Sequence, residues 1–181
     1  MESFNSVLHS RRSIRAYKET SVDLQDVKKM IDAALHSPTA KNIPGVHIVV
    51  IDDREKLKTL SKCKPHGADF VADAPLAFVV AGDTDKSVAW IEDASITCIT
   101  LQYSAEELGL SSCWAQIRER KTPEGGSSSE YIKAECGLPG NFEVEAIIAV
   151  GYPDEKVPPR SEDELPLKNV HHNSFEKPFF S

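Results

Sequence analysis

The sequence lacks any long hydrophobic run and any closely paired cysteines. None of its apolar stretches approaches the roughly 20 residues that a membrane-spanning helix requires. The cysteines are Cys63, Cys98, Cys113 and Cys136, and none of them forms a C-x-x-C pair. This spacing argues against a zinc site or an iron–sulfur cluster. We therefore expect reduced, mostly buried thiols, no metal site and no membrane association.

The chain is also short of positive charge and of hydrolase signatures. Its 21 basic and 28 acidic residues give a net charge of −7, whereas nucleic-acid binding needs a basic face. The sequence has no G-x-S-x-G elbow and no H-E-x-x-H helix. The flexible loop predicted at 125–129 is not followed by the Lys-Ser/Thr pair that ends a phosphate-binding P-loop. The first residues show no basic-then-apolar signal pattern, so we expect a cytoplasmic protein.

What remains is the pattern of one globular domain of 181 residues. Apolar periodicity predicts strands at 46–51, 76–81, 112–117 and 144–150. It predicts helices at 5–9, at 53–60, at 86–108 and between an N-cap at Asp23 and a stop at Pro38. Strands separated by helices, without a strict βαβ rhythm, indicate an α+β fold.

The predicted helix 86–108 is apolar around most of its circumference. Such a helix must be buried on all sides, and one chain of this size has little material to wrap it. A dimer interface is the simpler explanation, and a well-covered central helix is the alternative. The aromatic segment 175–180 is expected to dock on its own subunit or on the partner.

Two segments in the first quarter of the chain suggest ligand contacts. If the chain is extended there, the alternation of Arg11, Ser13 and Arg15 would aim three donors at a phosphate monoester. A solvated basic turn explains these residues equally well. The segment 37–42 has small residues and ends at Asn42, whose side-chain amide could form hydrogen bonds with the edge of a heterocyclic ring. An ordinary helix-terminating turn is the favoured reading of that segment alone.

A third segment, 109–116, leaves a helix and runs into a predicted strand. Its Trp114 and Gln116 could place the strand beside a ring system, although a core strand with a buried tryptophan fits equally well. Cys113 is not a convincing nucleophile, because no histidine lies near it in the sequence. His171 and His172 are adjacent, so their side chains diverge and a surface pair is favoured over a metal site.

Together these segments resemble the FMN-dependent nitroreductase family in order and spacing. The matching stretches are Arg11-Arg12-Ser13-x-Arg15, 37–42, 90–94, 108–114 and 150–153. The resemblance covers nearly the whole chain, as one domain 1–181 whose extension 154–181 docks on the partner subunit. It implies an α+β fold with a mainly antiparallel or mixed central sheet flanked by helices. It also implies an intertwined homodimer with FMN at the subunit interface.

The resemblance further implies which residues contact FMN. Four of them would hold the phosphate and the pyrimidine edge, namely Arg11, Arg12, Ser13 and Arg15. Four would reach the flavin from the other subunit, namely Pro38, Thr39, Ala40 and Asn42. Four would lie near its reactive nitrogen, namely Trp114, Ala115, Gln116 and Ile117. Arg160 would contact the phosphate, and a backbone amide near Gln116 or Ile117 would orient the reactive nitrogen.

No side chain is expected to be catalytic, because the flavin carries the chemistry. The implied activity is the reduction of an electrophilic acceptor, such as a nitroaromatic or a quinone, by NADH or NADPH in a ping-pong cycle. Pro44 departs from the family pattern, since many members have glutamine there. The alternatives are a related flavin destructase, dehalogenase or oxidase, or a non-catalytic flavin-binding module.

Overall fold

The central feature of the molecule is one four-stranded antiparallel sheet with the order β1-β2-β4-β3. The structure is a computed structural model that describes residues 4–180, so both ends of the predicted domain 1–181 lie outside the described residues. The strands are β1 (Val46–Ile51), β2 (Leu76–Asp83), β3 (Ser111–Gln116) and β4 (Phe142–Gly151). All four overlap predicted strands, and the α+β class with an antiparallel sheet is confirmed.

Within residues 4–180, five α-helices flank the sheet. They are α1 (Phe4–Ser10), α2 (Leu24–Leu35), α3 (Arg54–Leu60), α4 (Trp90–Glu107) and α5 (Ser128–Cys136). Asp23 caps α2 as predicted, because its carboxylate accepts the N–H of Gln25 at 2.7 Å. No helix among residues 4–180 is long and apolar enough to cross a membrane.

One helix prediction and one loop prediction need correction. The long helix begins at Trp90 rather than at residue 86, because the Asp83 carbonyl accepts the N–H groups of Lys86 and Ser87 in a turn. The loop predicted at 125–129 ends inside the first turn of α5. Ser127 caps that helix, since its hydroxyl accepts the N–H of Glu130 at 3.3 Å.

The sheet separates two apolar cores. One face of β2 and β4 packs with α2 and α4, and the other packs with α3 and α5. Because β2 is covered on both faces, all eight of its residues are buried, and the residues 76–81 are a continuous apolar run instead of an alternating one.

Strand β4 contains a β-bulge at Glu145. In the ladder with β2, Val80 is opposite Ala146 and Ala81 is opposite Val144, so Glu145 has no partner residue. A bulge redirects the extra side chain. Glu145 is nevertheless 4 % exposed, which places a carboxylate inside a strand that is otherwise mostly apolar.

A single chain does not cover all of α4. Ala94, Cys98 and Leu101 are fully buried, whereas Ile96 is 36 % exposed and Ile99 is half-buried. The predicted burial of this helix on all sides is therefore not achieved within a single chain.

The segment 154–180 lies largely exposed, and so does its aromatic end. Phe175 is 84 % exposed. The end of this segment folds on itself: His171 and Pro178 form an isolated β-bridge, and the N–H of His172 donates to the Lys177 carbonyl at 2.7 Å.

Candidate functional site

A cavity of about 700 Å³ lies where the end of α1 meets the segment after β4. Four arginines and one serine of the predicted site line it together: Arg11, Arg12, Ser13, Arg15 and Arg160. Thus the structure brings together residues that are separated by about 150 positions in the sequence.

The extended backbone after α1 arranges these donors. Ser13 forms a parallel bridge with Ser112 of β3, and the N–H of Ile14 donates to the Ser112 carbonyl at 3.1 Å. Ile14 is 5 % exposed, so it turns into the core while its neighbours Ser13 and Arg15 line the cavity. This alternation is the one expected of an extended segment.

Contacts with the segment after β4 bring Arg160 to the cavity. An Nη of Arg12 donates to the Pro158 carbonyl. A carboxylate oxygen of Glu155 accepts the N–H groups of Arg15 and Ala16, at 2.5 and 3.2 Å. Arg12 therefore has a structural contact of its own besides lining the cavity.

The cavity is electrostatically positive. Within residues 4–180, none of its four arginines forms an ion pair with a carboxylate. One acidic residue, Glu162, also lines it. An anion that accepts several hydrogen bonds is the ligand such a donor set favours.

The predicted group Pro38, Thr39, Ala40 and Asn42 lies elsewhere in the same chain. Thr39 and Asn42 line a separate cavity of about 160 Å³ together with Pro44, and no residue of this group lines the arginine cavity. The N–H of Ala40 donates to the Asp93 carboxylate at 2.9 Å. Asn42 is in the left-handed region with φ of 56°, a conformation in which asparagine is enriched.

The segment Trp114, Ala115, Gln116 and Ile117 forms and follows the end of β3. Ala115 and Ile117 are fully buried in the core, whereas Trp114 and Gln116 are half-buried. The Ile117 N–H donates to the Glu145 carbonyl at 3.0 Å. That amide is therefore engaged within the protein and is not a free donor for a ligand.

Lys64 stands beside this segment, and the sequence offered no signal for it. Its Nζ donates to the Gln116 carbonyl at 3.0 Å. Partial burial, and then the nearby Arg120, lower the pKa of Lys64, although the Cys63 and Cys113 thiols act in the opposite direction. Lys64 occurs in a run with other lysines, so its sequence context resembles that of a solvated surface residue.

Three of the four cysteines are buried, as predicted for mostly buried thiols. Cys113 is buried, and burial raises the pKa of its thiol even though Arg15 and a hydrogen bond with Ser13 oppose that effect. A neutral, buried thiol is a poor nucleophile. Among the described residues, no three His, Cys, Asp or Glu side chains are grouped so that they could hold a metal ion.

The fold is that of an α+β protein, and its cavity carries a set of hydrogen-bond donors that favours an anionic ligand. Residues 8–65 and 59–152 match the model of the Nitroreductase family, which is most of the chain. The chain therefore belongs to the nitroreductase family, and the resemblance found in the sequence is confirmed.

Individual relatives align with this chain over nearly their full lengths. An FMN-dependent nitroreductase of Clostridium difficile is 41 % identical with a TM-score of 0.92, and the alignment covers 93 % of this chain and 98 % of that one. A protein of Archaeoglobus fulgidus, provisionally named NADH dehydrogenase/NAD(P)H nitroreductase, is 29 % identical over 94 % of this chain and 98 % of its own. An NADH dehydrogenase of Thermus thermophilus is 26 % identical, and the alignment covers 88 % of this chain and 90 % of that protein.

Proposed function

We propose that this protein is an FMN-dependent oxidoreductase that uses NADH or NADPH to reduce a small electrophilic acceptor. The observation that carries the proposal is the cavity of about 700 Å³, lined by four arginines that have no carboxylate partners within residues 4–180. Membership of the nitroreductase family supports the choice of a flavin over other phosphorylated ligands.

The residues of the cavity fit FMN. Its volume is within the range of about 300–1,000 Å³ that is typical of cofactor sites. The guanidinium groups of Arg11 and Arg160, with the hydroxyl of Ser13, supply the charged and neutral donors that a phosphate monoester accepts. Arg15 would hold the ring's pyrimidine edge and would stabilise negative charge there.

The bound FMN would supply the redox chemistry, in an alternating cycle of reduction by NAD(P)H and oxidation by an acceptor such as a nitroaromatic or a quinone. The protein's part is to bind, to orient and to tune charge. Lys64 adds a cation near the end of β3, and its partial burial strengthens its interaction with a nearby anion.

The site is proposed to be completed by a second copy of the chain. Thr39 and Asn42 line a different cavity from the arginines of their own chain, so in the proposed homodimer the loop 37–42 would come from the partner. An apolar cavity of about 540 Å³ between α1 and α4, which includes Phe4, Ile99 and Tyr103, gives such a dimer a surface to bury. The extension 154–181 would dock on the partner as well.

The test is the absorption spectrum of the purified protein, with chromatographic identification of the released chromophore and its ratio to the subunit. The expected result is about one FMN per chain, and reduction by NADH or NADPH followed by reoxidation with a quinone. A protein that is colourless and does not bind added FMN would refute the proposal. Bound FMN that no nicotinamide donor reduces would favour the non-catalytic module.

A further inference from the structure

Glu145 is a buried carboxylate whose role the proposed function leaves unexplained. It occupies the bulge of β4 and is 4 % exposed. Burial of a charge is costly unless the charge is paired and hydrogen-bonded. Its partners are therefore expected to be specific.

A chain of hydrogen bonds links Glu145 to the end of β3. Trp114 Nε1 donates to Gln116 Oε1 at 2.8 Å, and Gln116 Nε2 donates to Glu145 Oε1 at 3.0 Å. Arg118 Nε donates to the other oxygen, Glu145 Oε2, at 3.1 Å. Both oxygens of the buried carboxylate therefore have partners.

The chemistry of these groups allows only one arrangement. An ionised carboxylate can only accept, and an indole N–H can only donate. The Gln116 amide must therefore turn its Nε2 towards Glu145 and its Oε1 towards Trp114. Without an acceptor oxygen at residue 145, only the indole N–H would hold the amide in this orientation, by one hydrogen bond instead of two.

Trp114 and Gln116 are the side chains at the end of β3 that remain half-exposed, whereas Ala115 and Ile117 are fully buried. They are accordingly the side chains of this predicted flavin-contacting segment that can meet a ligand. We infer that Glu145 is a positioning residue of the proposed flavin site: it fixes the Gln116 amide and, through that amide, the orientation of the Trp114 indole. The inference rests on the proposed function.

A second buried carboxylate provides a matched control. Asp83 is 5 % exposed, accepts from Asn141 Nδ2 at 2.8 Å, and has Lys86 Nζ at 3.5 Å. Its partners are thus also an amide and a cation. It lies three positions beyond the bulge in the β2–β4 ladder, and its described side-chain contacts do not include β3.

The experiment compares Glu145→Met, Glu145→Gln and Asp83→Leu in a Trp90→Phe background, in which Trp114 is the one remaining tryptophan. Near-ultraviolet circular dichroism without FMN reports how rigidly the indole is held. Fluorescence titration with FMN gives the dissociation constant. Glu145→Gln keeps an acceptor oxygen for Gln116 but removes the charge, and Arg118 is exposed enough to turn towards solvent.

In Glu145→Met we expect loss of the Trp114 dichroism and a rise of about 10- to 100-fold in the FMN dissociation constant, because a misplaced contact group is costly. Glu145→Gln is expected to restore most of both signals, and Asp83→Leu to change neither. If Glu145→Met does not fold, Glu145→Asp makes the same test, because it withdraws the carboxylate from Gln116 by one methylene.

Unchanged dichroism and FMN affinity in Glu145→Met would overturn the inference, and so would equal losses in Glu145→Met and Asp83→Leu. Failure of Glu145→Gln to restore the signals would also overturn it, since charge and not orientation would then be the cause. If the Trp90→Phe parent and the unmodified protein both fail to bind FMN, the proposed function fails and this inference with it. FMN binding that is insensitive to residue 145 refutes the inference alone.

Discussion

At the scale of single residues, the arginines of the cavity differ in what they already contact. Arg12 donates to the Pro158 carbonyl and so links the two segments that form the cavity. Arg11 lines the cavity, and none of its described contacts is an ion pair. Substitution of Arg11 is therefore expected to affect the ligand, whereas substitution of Arg12 would also disturb the protein.

Arg11→Ala is expected to weaken FMN binding by about 10- to 150-fold, which corresponds to the roughly 1.5–3 kcal/mol of a charged hydrogen bond. Riboflavin lacks the phosphate, so its affinity should not change. Both constants can be measured by fluorescence titration. Arg54→Ala is the control, because Arg54 is exposed and pairs with Glu19 at 3.3 Å. Equal weakening of FMN and riboflavin would mean that Arg11 does not contact a phosphate.

The buried thiols make stability depend on alkaline pH. Burial raises the pKa of Cys63 from 9.0 to about 11. Above pH 9 the unfolded chain loses this proton while the folded chain keeps it, so the free energy of unfolding should fall as the pH rises from about 9 to about 11. Denaturant titrations across this range should show a shallower fall in Cys63→Ala than in the unmodified protein. Identical pH slopes would show that this thiol does not titrate differently on unfolding.

At the scale of elements, the contact between β2 and the start of α4 depends on a glycine. A Cβ added to Gly82 would lie 2.7 Å from the Cβ of Trp90, which is closer than real Cβ contacts, whereas one added to Gly45 would meet nothing nearer than 3.7 Å. Helix and strand approach each other here because Gly82 has no side chain.

Gly82→Ala should lower the free energy of unfolding by about 1–3 kcal/mol, because overpacking forces the helix or the strand to move. Gly45→Ala should change it by much less. Both values can be obtained from denaturant unfolding of the FMN-free protein. A Gly82→Ala variant as stable as Gly45→Ala would show that Trp90 can move away without cost.

The elements were predictable from the sequence where local patterns decided them. Strand β1 was predicted with its observed bounds, and Asp23 was recognised as a cap, because apolar runs and capping side chains act over a few residues. Helix α5 was missed because its first turn is rich in serine next to two glycines. Its stability comes from packing, with Ile132 fully buried against the sheet.

The cavity was predictable only in part, for the same reason. Arg11, Ser13 and Arg15 were predicted from their alternation, and the family resemblance supplied Arg160. Lys64 was missed because its contact with Gln116 joins residues 52 positions apart. The bulge at Glu145 was also missed. It depends on the register between two strands, which the sequence of one strand does not specify.

At the scale of the whole molecule, the surface between α1 and α4 is apolar and incompletely covered. Ile99→Glu should produce a monomer, because it places a charge in the proposed interface. The monomer should also lose FMN, since the loop 37–42 of the partner would no longer reach the cavity. Light scattering with a flavin-to-subunit ratio measures both effects.

Val88→Glu is the control for that experiment. Val88 is 99 % exposed and does not line the surface between α1 and α4, and single exposed apolar residues are common on proteins. This variant should remain dimeric and retain FMN. A dimeric Ile99→Glu protein would place the subunit interface elsewhere.

The turn at the end of the exposed segment 154–180 has a consequence for how two subunits would meet. The His171–Pro178 bridge holds this turn. The rings of Phe179 and Phe180 make a T-shaped contact with 5.1 Å between their centroids. The contacts that shape the aromatic end are thus made within one chain, so little conformational entropy would be lost when it docks. Two subunits would then associate as preformed surfaces. The rate of association would be set by collision and orientation instead of by folding of the segment 154–180.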